Sequence, residues 1–334
     1  MAPADGGRFA PTPTGDLHLG NARTALLSWL SARSHGLKNR LRIDDLDLAA
    51  MPDGCLEGQL VDLQWLGLKY DESPTRPGPV GPYRQSQRMH HYRNAMACLN
   101  DLGLLYPCWC SRKEVLRAAH APHANDEGPI YPGTCRPKKT QPLSDLATLP
   151  ERNGRAPALR IDIQSACSRL NVSSLSFDDA IAGAQIYDLV HDIGDFVVRR
   201  MDGLPAYQLA CAYDDVSMGC AEVMRGQDLL TSTARQLLIL DSLGYRRPNY
   251  AHVGLVTDHR GERLSKRAAS VSLKQLRQAG VSSKQVLRLL ATLSGLPATS
   301  DLDHLTDAFD LSTMQATAVG VPSSWIEAPK RWTP

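Results

Sequence analysis

Three stretches concentrate side chains that can do chemistry. The first is Arg8-Phe9-Ala10-Pro11-Thr12-Pro13-Thr14-Gly15-Asp16-Leu17-His18-Leu19-Gly20-Asn21. It is a turn-rich loop that delivers His18 to the start of a helical pattern. A helix N-terminus carries free N–H groups and a partial positive charge, so it attracts anions. His18 there can add a hydrogen bond to a phosphate, and Gly20 lets a nucleotide approach the backbone closely. The second is Cys108-Trp109-Cys110 with Cys135 further on. Three thiolates at that spacing suit tetrahedral zinc, with buried free thiols as the alternative. Cys55, Cys98, Cys167, Cys211 and Cys220 are scattered and read as ordinary core thiols. The third is residues 260–288, with eight Lys/Arg and one acid, Glu262. That imbalance suits either a polyanion contact or a solvated helix face.

These side chains need a frame. Arg8 to Ala10 predicts a strand. Leu19, Ala22, Leu26, Leu27 and Leu30 recur at helical spacing and predict an amphipathic helix to about Arg33, stopped by Gly36. Leu41 to Ile43 predicts a second strand, which ends in the acidic run Asp44-Asp45-Leu46-Asp47. Strand, helix and strand make a βαβ unit and a parallel sheet, whose ligands sit at the carboxyl ends of the strands. Further helices are expected at 56–68, 86–104 and 283–294, and strands at 159–161, 196–198, 206–213 and 251–256. Residues 106–150 read as irregular and Pro-rich. The tail after Pro297 has no assignment.

Composition sets the outer bounds. A chain of 334 residues suggests two domains. With 43% apolar residues, 22% charged and a net charge of +2, disorder is excluded as the main state. No run approaches the ~18 apolar residues of a membrane span, and the N-terminus has no apolar signal core. The expected location is the cytoplasm, with no membrane attachment.

The fourteen residues from Arg8 resemble the signature loop of class I aminoacyl-tRNA synthetases. That loop usually reads His-Ile-Gly-His and here reads His18-Leu19-Gly20-Asn21. The lead-in Arg-Phe-Ala-Pro-Thr-Pro-Thr-Gly is similar to the glutamyl branch. Arg263-Leu264-Ser265-Lys266-Arg267 resembles the second class I signature, Lys-Met-Ser-Lys-Ser, in the right order along the chain. A lysine on such a loop can neutralise charge developing on a triphosphate as pyrophosphate leaves. Leu41 to Asp47 is similar to the Arg-Ile-Glu-Asp run of the branch, with Asp44 one methylene shorter than the family's acid. Ala206-Tyr207-Gln208-Leu209-Ala210 and Glu222-Val223-Met224-Arg225-Gly226 resemble its pocket strands.

The resemblance implies an α/β fold: a class I synthetase Rossmann-like parallel sheet with a zinc-containing insertion and a short C-terminal helical segment. Residues 1–85 and 191–260 would be the halves of the catalytic domain. Residues 86–190 would be the insertion, and 261–334 the lysine loop and a short helical segment that contacts tRNA. His18, Gly20, Asn21 and Lys266 would bind ATP, with His18 and Lys266 catalytic. Arg8, Phe9, Ala10, Pro11, Thr12, Asp44, Tyr207 and Arg225 would hold glutamate, Asp44 at its ammonium and Arg225 at its side-chain carboxylate. The short glutamyl-queuosine tRNA(Asp) synthetases carry Cys-x-Cys…Tyr-x-x-x-Cys. On that pattern Cys108, Cys110, Tyr131 and Cys135 would hold one structural zinc, and Mg²⁺ would arrive with ATP. Only 67 residues follow Arg267, too few for a large anticodon-binding region. The expected activity is activation of L-glutamate by ATP without tRNA, then transfer to queuosine at the wobble position of tRNA(Asp), by a monomer. A small glutamyl-tRNA synthetase acting on the 3′ end is one alternative. A catalytically silent paralogue that binds tRNA or a protein is a second, and adenylyl transfer to another small carboxylate, with the pocket altered by Asp44, is a third.

Overall fold

The computed structural model describes residues 2–47, 49, 51–118, 129–258, 261, 272–327 and 329–330. The chain opens as β1 (Gly6–Phe9), α1 (Leu19–Ser34) and β2 (Lys38–Leu41), and the two strands pair in parallel. Next come α2 (Cys55–Trp65), α3 (Met89–Asp101), β3 (Leu105–Cys108), α4 (Arg112–Ala118), β4 (Ala158–Ile161) and α5 (Ile163–Leu170). Then follow β5 (Ser174–Asp179), β6 (Gly183–Asp188), β7 (Val197–Arg199), α6 (Tyr207–Ser217), β8 (Cys220–Gly226), α7 (Leu230–Ser242), β9 (Asn249–Val253) and β10 (Val256–Thr257). The last described elements are α8 (Leu273–Gln278), α9 (Ser283–Thr292), α10 (Leu302–Asp307), β11 (Val319–Gly320) and α11 (Ser323–Glu327).

The main sheet has six strands in the order β2-β1-β8-β9-β5-β6. All neighbours are parallel except the β5–β6 hairpin at one edge. A second, antiparallel sheet has the order β3-β4-β7. Sheet membership therefore crosses the expected limit at residue 190. β5 and β6, before it, join the main sheet, while β7, after it, joins the small one.

The first βαβ unit matches the sequence pattern, but α1 is not half-exposed. Eleven of its sixteen residues are buried. One face lies on β1 and β8, and the C-terminal helices α9 and α10 cover the other. Even Arg23 is buried there, donating to Gly254 O at 2.7 Å and Ser294 Oγ at 3.0 Å.

Residues 206–213 correct an expectation. Ala206 is the extended N-cap of helix α6 and the rest lie within that helix, not on a strand. A short apolar run fits either period, and here it continues through Asp214 and Asp215 to eleven residues. Cys211 and Asp215, one turn apart, both meet Arg42. The strand expected at 251–256 is two strands, because Gly254 and Leu255 interrupt it.

The C-terminal tail also has a place. β11 runs parallel to β10, with Val319 N–H donating to Leu255 O at 2.8 Å and Val321 N–H to Thr257 O at 2.9 Å. Gly254 makes this approach possible, since a Cβ there would lie 1.8 Å from Thr317 O. Trp325 of α11 is buried in the same core as α1.

Candidate active site

His18 is the N-cap of α1. Its Nδ1 accepts from Gly20 N–H at 3.0 Å and Asn21 N–H at 3.3 Å, and Asn21 Oδ1 accepts from His18 N–H at 3.3 Å. Capping thus fixes the tautomer: Nδ1 is the acceptor, so the ring proton sits on Nε2. Burial pushes the His18 pKa down, which keeps the ring neutral. The imidazole folds back over Gly20, where a Cβ would lie 2.8 Å from the ring. Gly20 therefore makes room for His18 itself. Gln59 of α2 holds the preceding loop, donating to Gly15 O at 2.7 Å and Thr12 O at 3.3 Å.

Beyond β2 the chain stays against this loop, with Asp44 N–H donating to Pro11 O at 3.0 Å. Asp44 Oδ1 accepts from Arg42 Nε at 2.7 Å. Burial raises the Asp44 carboxyl to about 6, with Arg42 opposing and Asp214 adding to the rise. Arg42 also donates to Asp215 Oδ1 at 2.6 Å. Arg8 grips Asp215 through Nε at 3.1 Å and Nη2 at 3.3 Å, and reaches Met224 O through Nη1 at 3.1 Å. Burial raises the Asp215 carboxyl, but Arg8 and Arg42 outweigh it and hold it at about 2. Asp214 takes bonds from Arg88 Nε at 2.6 Å, Tyr92 Oη at 2.7 Å and Gln85 at 2.9 Å. The floor is thus a lattice of alternating guanidinium and carboxylate groups, each needing the next to offset its desolvation.

Arg225 on β8 has a different environment. Nε donates to His252 Nε2 at 3.0 Å. Nη1 reaches Gln236 Oε1 at 2.8 Å and Tyr207 Oη at 3.5 Å, and Nη2 reaches Thr233 Oγ1 at 2.7 Å and Leu229 O at 3.4 Å. Every one of these partners is neutral or a backbone carbonyl, so its charge is less offset than that of Arg8.

One cavity of about 720 Å³ collects these groups. Arg8, Phe9, Ala10, Pro11, Thr12, His18, Gly20, Asn21, Asp44, Tyr207 and Arg225 all line it. Gly254, Leu255, Val256, Ser272 and Gln275 form another part of its wall. Lys266, like Arg260, Arg263 and Arg267, lies outside the described residues. Ser272 just beyond makes a bridge to His18, and Leu273 N–H donates to Leu17 O at 2.8 Å. Within the basic stretch, Lys274 and Arg277 face Asp16 at 3.9 Å and Asp62 at 3.1 Å. Lys284 and Arg288 are exposed.

The cysteine cluster forms a separate centre at the end of β3. The thiols of Cys108, Cys110 and Cys135 lie within 4.8 Å of one another. Tyr131 Oη is 3.3 Å from Cys108 Sγ and 3.5 Å from Cys110 Sγ, and the Cys110 and Cys135 sulfurs are 3.6 Å apart. A tetrahedron with bonds of about 2.3 Å to sulfur has edges near 3.8 Å. The four donors therefore fit one metal ion. Arg160 lies 3.8 Å over the Tyr131 ring.

The motif residues line the cavity, while the supports beneath it, Arg42, Arg88, Asp214, Asp215, Asp179 and His252, have no role that a motif assigns. Their signal in the sequence is polar residues inside apolar runs, such as Asp214-Asp215 after Leu209 to Ala212 and His252 between Ala251 and Val253. The tyrosine and arginine positions, Tyr207 and Arg225, do meet at the cavity, although Tyr207 starts a helix rather than lying on a strand.

The chain is similar to known proteins throughout. Residues 6–326 match the family model "tRNA synthetases class I (E and Q), catalytic domain". A Symbiobacterium thermophilum protein named Glutamyl-Q tRNA(Asp) synthetase is 45% identical over 96% of this chain and 97% of its own length. A Halorhodospira halophila Glutamate–tRNA ligase 1 is 40% identical over 91% of this chain and 62% of its own. Among solved structures, a glutamate-tRNA synthetase from Elizabethkingia anophelis superposes with a TM-score of 0.75 at 25% identity, over 95% of this chain and 68% of that one. Fold, cavity and family model agree: this chain belongs to the class I tRNA synthetases of the E and Q branch, and is a ligase of that family.

Proposed function

We propose that the cavity activates L-glutamate with ATP, without tRNA, and that the chain then transfers glutamate to queuosine at the wobble position of tRNA(Asp). The observation that carries this is the pairing of opposite demands in one cavity. Arg225 is buried with neutral partners and calls for an anion, while Asp44 is a buried acid whose guanidinium partner, Arg42, is shared with Asp215, so a second cation is favourable there. An amino acid with an anionic side chain supplies both. Its ammonium pairs with Asp44. Its side-chain carboxylate displaces the two long Arg225 contacts, to Tyr207 and Leu229. Arg8 has two N–H groups beyond its three protein bonds to offer as well.

The first step needs no general base. The ionised α-carboxylate oxygen attacks the α-phosphorus of ATP, the bond to the β-phosphate bridging oxygen breaks, and pyrophosphate leaves with its electron pair. The protein positions the reactants and stabilises charge. His18 Nε2–H and Lys266 are the phosphate donors in this reading, beside the positive end of the α1 dipole, and Mg²⁺ accompanies ATP. A queuosine hydroxyl then attacks the activated carbonyl, the bond from that carbon to the phosphate oxygen breaks, and AMP departs with its phosphate taking the hydroxyl proton. Cys108, Cys110, Tyr131 and Cys135 would hold a zinc ion that braces the lobe between β3 and β4 and takes no part in the reaction.

The queuosine step is supported by the relatives named Glutamyl-Q tRNA(Asp) synthetase. They match this chain at 43–45% identity over most of its length. ATP–pyrophosphate exchange with glutamate, aspartate and glutamine, each with and without tRNA, tests the proposal. Glutamate-dependent exchange without tRNA is the expected result. Exchange only with tRNA present points to 3′-end charging instead, and no exchange with any of them points to a silent binder.

A further inference from the structure

We infer that His252 is a positioning residue for Arg225: it gives the guanidinium a neutral acceptor at Nε and keeps the Asp179 carboxylate one imidazole away. This sets the preference for an acidic side chain over its amide. The inference rests on the reading of the cavity as a glutamate site.

The geometry is specific. His252 on β9 is fully buried. Its Nδ1 lies 2.5 Å from Asp179 Oδ2, and its backbone N–H donates to Asp179 Oδ1 at 3.0 Å. Asp179 also accepts from Ile181 N–H at 3.1 Å and Ala182 N–H at 2.8 Å. With a carboxylate at Nδ1, the ring proton belongs there. Nε2 is then a lone pair, and it receives Arg225 Nε–H at 3.0 Å. Thr233 Oγ1 lies 3.2 Å from the same nitrogen and accepts from Arg225 Nη2.

The groups around the ring keep it neutral. Burial pushes the His252 pKa down to about 4. Arg225 and Arg8 add to that, and Asp179 opposes it. Tyr250 stacks on the ring at 6.0 Å without charge. Arg8 provides the contrast within the same cavity. Its carboxylate, Asp215, touches it directly, so its charge is largely spent. Coulomb attraction falls with distance, so moving the anion from hydrogen-bond contact to the far side of an imidazole leaves Arg225 available to an incoming anion.

Three variants test this by ATP–pyrophosphate exchange, with thermal melting as a control. In His252→Gln the amide oxygen still accepts from Nε, so the glutamate KM should stay within about threefold. In His252→Leu the acceptor is lost, and the glutamate KM should rise by about tenfold or more while the ATP KM stays within about twofold. In His252→Glu the added charge should narrow the ratio of kcat/KM for glutamate over glutamine by about tenfold or more. If Gln and Leu behave alike, or if the ATP and glutamate KM values rise together, the residue is merely structural and the inference falls. Should the Glu variant not fold, the Gln and Leu pair still decides. Wild-type enzyme without glutamate-dependent exchange overturns the cavity reading and this inference with it. Exchange in the wild type with either failing pattern overturns this inference alone.

Discussion

Asp44 is one methylene shorter than the acid its motif leads one to expect, and Arg42 holds it at 2.7 Å on the cavity floor. Its carboxyl is raised to about 6 by burial, against Arg42. A raised acid is favoured in its protonated form, so ionising it costs stability as pH climbs from the ordinary carboxylate range through 6. An ammonium ligand repays that cost only when Asp44 is ionised. The glutamate KM in the exchange reaction should therefore fall as pH rises from 5 to 7 and level off above. Asp44→Asn should abolish the inflection and raise the KM by about 10- to 100-fold. A flat profile in the wild type would remove Asp44 from the ammonium site. Asp215 carries a different burden. Asp215→Asn leaves Arg8 and Arg42 short of a buried counter-charge, and a loss of about 3–5 kcal/mol in chemical denaturation is expected. At this scale the rim of the site was legible because motif residues are tied to short loops. The floor beneath it was not, because Arg42 and Asp215, the groups that Arg8 and Asp44 rest on, are distant in sequence and meet only when β2 and α6 are assembled.

Among the elements, β10 and β11 bear most directly on the cavity wall beside Gly20, the part that the proposed function gives to ATP. Gly254, Leu255 and Val256 line it, and β11 fixes their backbone. Gly254→Ala would push the Thr317 carbonyl away. The ATP KM should rise by about tenfold, with the glutamate KM nearly unchanged. The cysteine lobe is a second separable unit. Cys135→Ser should lower bound zinc from one equivalent towards none, measured by elemental analysis, and should raise amide exchange around β3 and Tyr131. Undiminished metal content would exclude Cys135 as a ligand. The helical period of α1 and the spacing of the lobe's cysteines were readable because each is local. The hairpin β5–β6 has no such local signal, and the run that forms α6 fits a strand as well as a helix. Short apolar runs fit both periods until neighbouring elements decide which face is covered.

For the whole molecule, charge distribution and chain order matter most. Net charge is only +2, yet Lys284 and Arg288 stand exposed on α9. Lys274 and Arg277, which face acids, have less to give a polyanion. Binding of tRNA should weaken linearly in log–log salt titrations. Removing both Lys284 and Arg288 should flatten the slope by roughly 1.4–1.8, about 0.7–0.9 per phosphate contact. An unchanged slope would move the tRNA to another face. The parallel sheet was foreseeable from one βαβ unit, whereas the covering of α1 by α9 and α10 was not, because it joins segments about 250 residues apart. The pairing of β10 with β11 adds a condition in time. As the polypeptide is synthesised, both signature segments exist well before residues 315–321 are made. Until that tail folds back, Leu255 and Thr257 keep unpaired carbonyls at the edge of the cavity, and Gly254 has nothing to rest on. The newborn chain thus carries both motif segments before it can complete this wall of the cavity.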